Sequence, residues 1–434
     1  MNTKCRVSLP YITSYPEIAT VLSIIDTKTS FPWLANWFLQ IEAYRHQDGG
    51  LLLDYCIPDP FTSCPWILYE KISRAFIKSK WDSVTDFMID AVNNGQVASF
   101  VVDTSRIGLY QNSHGYAGHT IMLYGYDAEK QLFSVGDNFA VSNKAFRFDV
   151  CSFAELESAY ADVTGFGSRT DWVHGVRLLS PKTQFDHGHG KFSHTYNWAF
   201  SKELFAALAG DFLHSRNSTR WFSNPRLNKA FRFDVCSFAE LESAYADVTG
   251  FGSRTDWVHG VRLLSPKTQF DHGHGKFSHT YNWAFSKELF AALAGDFLHS
   301  RNSTRWFSNP RLTYSEGEYY YGLDCISYVI DVLRSLRGEP IDIRGIFLLA
   351  EYAGLMEMRV SYLLENGMLP EGGLREKAEK IHEDMRRILM LSLKYNFTEK
   401  QSILDSVLFR LERFREALQS LMEELLVGID GFRL

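Results

Sequence analysis

Cysteine, basic runs and long apolar stretches are all scarce in this chain, and each shortage removes a class of protein. Six cysteines (Cys5, Cys56, Cys64, Cys151, Cys236 and Cys325) scattered over 434 residues are too few for a disulfide scaffold, so reduced thiols are expected. There is no block of Lys or Arg, the formal net charge is −6 and the pI is near 6.2. Without a basic footprint no nucleic-acid partner is expected. No apolar run reaches the length of a spanning helix, and "MNTKCRVSLPYITSYPEI" lacks the apolar core of a secretory signal. The expectation is a cytoplasmic protein with no membrane partner. Neither a phosphate-cradling glycine motif nor a zincin motif is found, and no cofactor is expected.

What is abundant is core-forming material. Hydrophobic residues make up 45% and aromatics 15%, which suits a globular protein of one to three domains. One feature dominates the middle of the chain. Residues 143–227, from "NKAFRFDVCSFAELESAY" to "RWFSNPRL", recur without a single change at 228–312. Solenoid units drift apart because each meets different neighbours, so an identical pair is a recent duplication or an artefact of assembly, not an array. Ten of the fourteen histidines are one set counted twice, and removing 85 residues from 434 leaves 349 as the working unit. Each copy offers a strand at "KAFRFDV", a helix at "SFAELESAYADV" with Ser152 and Glu155 in capping-box spacing, a strand at "WVHGVRLLSPK", and a helix from Ser201. Two identical strands compete for one slot in a sheet, and the sequence does not say which copy docks.

Ahead of the repeat, Ile18, Val21, Leu22 and Ile25 mark a first helix from about Tyr15, with Pro16 in its first turn and Ser14 and Glu17 at capping-box spacing. A second amphipathic stretch, "WLANWFLQIEAYRH", leads into a loop, "CIPDPFTSCP". A helix through "WDSVTDFMIDAVNNG" ends at Gly95, and "VASFVVD" reads as a buried strand. Beyond the repeat, Leu374, Ala378, Ile381, Met385 and Ile388 form one apolar seam. Leu404, Val407, Leu411, Phe414, Leu418, Leu421 and Leu425 form another, opened by a capping box at Thr398 and Gln401. With the short "KYNFT" between them they predict an antiparallel helical hairpin, packed within one subunit in preference to a dimer seam.

The chemistry-bearing stretch is "GHTIMLYGYDAEKQLFSVGDN". It reads as a β-hairpin with its loop near residues 128 and 129, which sets residue 119 opposite 137 or 138. Asp137 or Asn138 could then accept from the His119 imidazole and orient it as a proton carrier. The rival reading is a polar pair at a sheet edge. Cys151, before a helix start, reads as a small buried hydrophobe, and Cys56 and Cys64 as structural packing. Asp186, His187, His189 and His194 in "FDHGHGKFSH" could hold a divalent ion, but a solvated loop is the default and no metal is expected.

This hairpin, with "LPYITSYP", "CIPDPFTSCP", "SFAELESAY" and "IDIRGIFLLAEYAGLMEMRVSYL", resembles the N-terminal domain family of butirosin biosynthesis protein H. That family has a papain-like fold of the bacteriocin-processing-peptidase type and is found beside nonribosomal peptide clusters. The resemblance spans residues 8 to about 180 and part of the helical tail. It implies an α+β protein. A papain-like domain with an antiparallel sheet would cover 1–195 using one repeat copy, and a mainly helical domain would cover 313–434. It also implies a cysteine nucleophile at the start of the first helix, a histidine matching His119 and an acidic or amide residue matching Asp137. The implied reaction moves an aminoacyl group from a carrier-protein thioester to an amine, with an acyl carrier protein and a small amine acceptor as partners. This chain departs from that pattern, reading Thr13, Ser14, Tyr15, Pro16 where the cysteine belongs. Ser14 could serve as a hydroxyl nucleophile, though a plain helix cap is the favoured reading. The alternatives are a non-catalytic binding or scaffold relative, and a leader-peptide hydrolase of the cysteine-peptidase type. Oligomeric state is not legible.

Overall fold

The computed structural model describes residues 2–45, 51–110, 118–139, 146–161, 175–181, 191–197, 276–282, 285–306, 318–336, 338–370 and 372–431. In chain order the elements are β1 (Asn2–Lys4), α1 (Pro16–Ile24), α2 (Thr27–Trp37), β2 (Ile41–Arg45), β3 (Leu51–Tyr55), α3 (Pro60–Ser63), β4 (Ile67–Ser73), α4 (Arg74–Lys80), α5 (Val84–Asn93) and β5 (Val97–Asp103). Two 3-10 turns, Thr104–Arg106 and Gly108–Tyr110, lead to β6 (Gly118–Asp127), β7 (Leu132–Asn138), β8 (Phe146–Ser152), α6 (Phe153–Ala161) and β9 (Gly175–Pro181). Then come β10 (Lys191–Asn197), β11 (Lys276–Asn282), α7 (Lys287–Leu298), β12 (Tyr319–Tyr321), α8 (Leu323–Ser335), α9 (Ile343–Glu365), α10 (Leu374–Thr398) and α11 (Gln401–Gly431).

The chain is α+β, with an antiparallel sheet in its N-terminal region and a helical C-terminal region. The main sheet runs β4-β9-β5-β6-β7-β8, with β1 also paired to β6. Its alternation sorts side chains onto two cores, as the period of two requires. Ala98, Phe100, Val102, Ile121, Leu123, Phe133, Val135, Val176 and Leu178 join residues of α5 and α6 on one face. Val97, Met122, Tyr124 and Leu179 join α1 and the helical tail on the other. Every residue of β5 is buried, so the run "VASFVVD" belongs to a central strand covered on both sides.

One helix of the tail, α9, ties the two regions together by charge. The Glu351 carboxylate accepts from Thr13 N (2.6 Å), Thr13 Oγ1 (2.7 Å) and Ser14 N (3.1 Å), just ahead of α1. Two turns on, Arg359 is 1% exposed and donates to Ala35 O (3.0 Å), Phe38 O (2.9 Å) and Leu34 O (3.3 Å) at the end of α2. An anion thus meets a helix N-terminus and a cation meets a C-terminus, the sense a helix dipole favours. Burial pulls the Arg359 guanidinium down to about 10, which leaves it charged at neutral pH.

Both repeat copies supply described elements. Copy one supplies β8, α6 and β9 to the main sheet, and copy two supplies α7 to the helical region. Ser152 and Glu155 form the expected reciprocal capping box, with Ser152 N to Glu155 Oε2 at 2.8 Å and Glu155 N to Ser152 Oγ at 3.1 Å. Both hairpin seams of the tail are buried within the chain, Leu404 through Leu425 at 0–2% exposure, which is packing inside one subunit.

Three local expectations need correction. The N-cap of α1 is Tyr15 with no side-chain cap, so Ser14 and Glu17 form no capping box; the Ser14 N–H is already taken by Glu351. "WLANWFLQIEAYRH" is not one amphipathic helix, because α2 stops at Trp37 and β2 begins at Ile41. Thr398 closes α10 and does not open α11: "KYNFT" is helical, and the chain reverses at Glu399, whose φ of 52° lies in the left-handed region.

Candidate active site

The β6-β7 hairpin turns through residues 128–131, where Asp127 Oδ1 accepts from Glu129 N (3.1 Å) and Lys130 N (3.2 Å). A bulge between Leu123 and Gly125 shifts the register, and beyond it Met122 pairs with Gly136. Continuing that register sets Phe139, not residue 137 or 138, opposite His119. Asp137 is therefore the diagonal neighbour, on the same face and within reach of a long side chain. His119 Nε2 and Asp137 Oδ2 are 2.9 Å apart.

Sheet alternation decides what else can join them. Ile121, Leu123, Phe133 and Val135 face the α5 and α6 side, so His119 and Asp137 project there too. Thr120 and Asn138 then project to the α1 face. Thr120 Oγ1 donates to Glu17 Oε1 at 2.9 Å, which fixes that side. Of the four candidate residues the fold brings His119 and Asp137 together. Asn138 points away from the imidazole. Ser14 lies on the α1 side, its Oγ buried and without a hydrogen-bond partner among the described residues.

The pair has a third member that the sequence reading did not contain. Tyr110, at the end of the second 3-10 turn, donates its hydroxyl to Asp137 Oδ2 and sets its ring edge-on to His119 at 5.9 Å and 75°. The turn is anchored by the repeat, because Glu155 Oε1 accepts from Gly108 N at 2.9 Å. A tyrosine seven residues after a buried strand carries no spacing signal; only the sheet brings it home. Burial and the Asp137 charge push the Tyr110 phenol well up, so it remains a neutral donor.

Asp137 is 0% exposed while the His119 side chain remains 37% exposed. Burial pulls the imidazole pKa down, but the Asp137 charge, its hydrogen bond and the Glu17 charge together outweigh it and hold the pKa above the ordinary histidine value. With Nε2 held by the carboxylate, Nδ1 is the nitrogen open to a reacting group. That is an oriented proton acceptor with one face toward solvent.

Among the described residues no thiol completes it. The described cysteines are free, and Cys56, Cys64, Cys151 and Cys325 are buried. Burial pushes the Cys64 and Cys151 thiols up to about 12, which leaves them inert. Cys151 packs in the core beside α6, a small hydrophobe as expected. Cys5 Sγ donates to Gln96 O at 3.5 Å. Asp186, His187 and His189 lie outside the described residues, as does Cys236; of His194 only the backbone, in β10, is described. Among the described residues no group of three metal-ligating side chains occurs, and no helix is long and apolar enough to cross a membrane. No protein-family model matches the chain, and no curated protein matches it in sequence.

Proposed function

We propose that this chain transfers an acyl group from a thioester to an amine, with His119 as the proton carrier and no acyl-enzyme intermediate. The observation that carries the reading is an imidazole gripped through Nε2 by a fully buried carboxylate while the side chain itself remains 37% exposed. The neutral amine attacks the thioester carbonyl, and its N–H proton passes to Nδ1. The C–S bond then breaks as the carbonyl re-forms, and the imidazolium returns the proton to the departing thiolate. Direct attack suits a site whose described thiols are buried or bonded elsewhere and whose Ser14 lies ahead of α1, on the other side of the sheet. The likeness to the butirosin biosynthesis protein H family supplies the substrate class, an aminoacyl thioester on a carrier protein and a small amine acceptor. It also motivates a papain-like description of the N-terminal region.

The test is incubation of the full chain with an aminoacyl N-acetylcysteamine thioester and an amine, followed by thiol release, amide mass and intact-protein mass. Amide formation with no protein adduct is expected, together with a rate loss of roughly 10²–10⁴ in His119→Ala. An adduct on the protein would overturn direct attack. A second reading, a binding relative without turnover, draws on the same missing thiol; thioester binding with no thiol release in wild type would establish it over catalysis. Free acid in place of amide would mark a hydrolase.

A further inference from the structure

The start of α1 is held from a distance. Its N-cap, Tyr15, provides no side-chain cap, so the first turn lacks the local device that usually fixes a helix entrance. Three hydrogen bonds to Glu351 of α9 take that place, from Thr13 N at 2.6 Å, Thr13 Oγ1 at 2.7 Å and Ser14 N at 3.1 Å. Tyr15 adds a bond from its hydroxyl to Leu53 O of β3. Behind this turn every residue from Ile18 to Ile24 is buried, whereas Thr13 to Glu17 are only half-buried. The entrance is thus the part of α1 that leans on Glu351 more than on packing.

The same turn reaches the histidine. α1 runs across β5, β6, β7 and β9, and its first turn carries Glu17. Glu17 Oε1 accepts from Thr120 Oγ1 at 2.9 Å, and Thr120 is the neighbour of His119 in β6. Pleating turns these two β6 side chains to opposite faces, so Glu17 acts on the imidazole as a charge and not as a hydrogen-bond partner. Together with Asp137 it holds the imidazole pKa up. A Coulomb effect depends on distance, so a first turn that moves carries that charge with it.

We propose that Glu351 is a positioning residue for His119: by pinning Thr13 and Ser14 it keeps Glu17 on Thr120, so that a helix of the C-terminal region governs the proton carrier on the sheet. The contacts are continuous, from Glu351 to Thr13 and Ser14, through one turn of α1 to Glu17, and on to Thr120 beside His119. Without the pin the turn loosens and Glu17 spends part of its time away from Thr120. The imidazole then gives up its proton more easily, and general-base activity begins at lower pH. The inference rests on the acyl-transfer reading for the reaction concerned, but its central measurement needs no turnover.

The test is the His119 titration by NMR in the full chain, beside the pH profile of thioester aminolysis. Glu17→Gln keeps an acceptor for Thr120 without the charge. It is expected to lower the His119 pKa by roughly half a unit, about threefold easier deprotonation, the scale of one charge several ångströms away in partly wet protein. Glu351→Ala is expected to lower it by less, and Glu351→Gln, which keeps an acceptor for Thr13, to restore most of the difference. Adding Glu351→Ala to Glu17→Gln should lower it no further, because no charge is left to displace. Thr13→Val removes one of the three bonds and serves if Glu351→Ala does not fold; it should lower the pKa in the wild-type background and not in Glu17→Gln. Glu357→Ala, on the same helix, releases His382 from its 2.6 Å contact and should leave the His119 titration where it was. Additive shifts in the double, equal shifts from Glu357→Ala and Glu351→Ala, a Glu351→Gln shift as large as that of Glu351→Ala, or an unmoved titration in Glu351→Ala and Thr13→Val would each overturn the proposal. The expected shifts in a chain that releases no thiol from the thioester would keep this proposal and remove acyl transfer.

Discussion

Among the described residues two histidine–carboxylate pairs occur, and their difference shows what makes such a pair chemically useful. His119 and Asp137 meet at 2.9 Å on a sheet, with the acid fully buried, a tyrosine on the same oxygen and the imidazole 37% exposed. His382 and Glu357 meet at 2.6 Å between α10 and α9, with side chains 30% and 34% exposed. The second pair is the shorter, yet both partners can rotate into water, and the contact adds little beyond helix packing. The first acid has nowhere else to go. Fixing the carboxylate, not shortening the contact, is what orients an imidazole.

The largest effect expected to sharpen this contrast is on acyl transfer. His119→Ala should lose roughly two to four orders of magnitude, while His382→Ala keeps its rate; a comparable loss in both would mean that the rate reports folding and not chemistry. Asp137→Ala should cost about 3 kcal/mol of stability, since it strands the Tyr110 hydroxyl and the imidazole, against less than about 1 kcal/mol for Glu357→Ala. Urea midpoints at neutral pH compare the two directly. Tyr110→Phe should cost about 1 kcal/mol and raise the His119 pKa further, because the carboxylate loses a competing donor. An unchanged imidazole titration by NMR would argue that the tyrosine does not share that oxygen in solution.

The pH dependence follows from signs. Folding raises the His119 pKa, so the pair stabilises the protein fully below the unfolded histidine value, and that contribution fades as pH rises through the folded one. General-base activity has the opposite trend, appearing only as the imidazole loses its proton, on a limb displaced above the ordinary value near 6.5. The smallest effect belongs to Glu155. Burial raises its pKa, but hydrogen bonds from Ser152 N, Gly108 N and Ser152 Oγ outweigh it and set it below the usual carboxylate range. Its stabilisation is present above the unfolded value and lost as pH falls through the folded one. Glu155→Gln should flatten that acid limb.

How much could be read beforehand depends on how local each feature is. The amphipathic runs of α1, α5, α10 and α11, the buried strand β5 and the Ser152–Glu155 box were legible because their signals lie within a turn or two of the chain. The same reasoning misread Ser14 and Glu17, where spacing alone fits a capping box, because Glu351 some 337 residues away takes the Ser14 amide. It brought His119 near Asp137 but centred the turn at residues 128 and 129, whereas Asp127 pairs with Leu132, and that later turn, only partly offset by the bulge, sets Phe139 opposite His119. Tyr110 and Glu155 were out of reach as site components, being joined to the dyad only through the sheet.

The sequence by itself determined the helical tail, the hairpin carrying His119 and Asp137, and the presence of two equal claimants for each repeat site, because periodicity and identity are properties of the chain alone. Tertiary structure decided which face of the sheet each side chain took, that Ser14 and His119 lie on different faces, and that β8, α6 and β9 of copy one join the main sheet. Those outcomes depend on pleat parity, on a single bulge and on pairings between distant elements, and such features exist only once the chain has closed on itself.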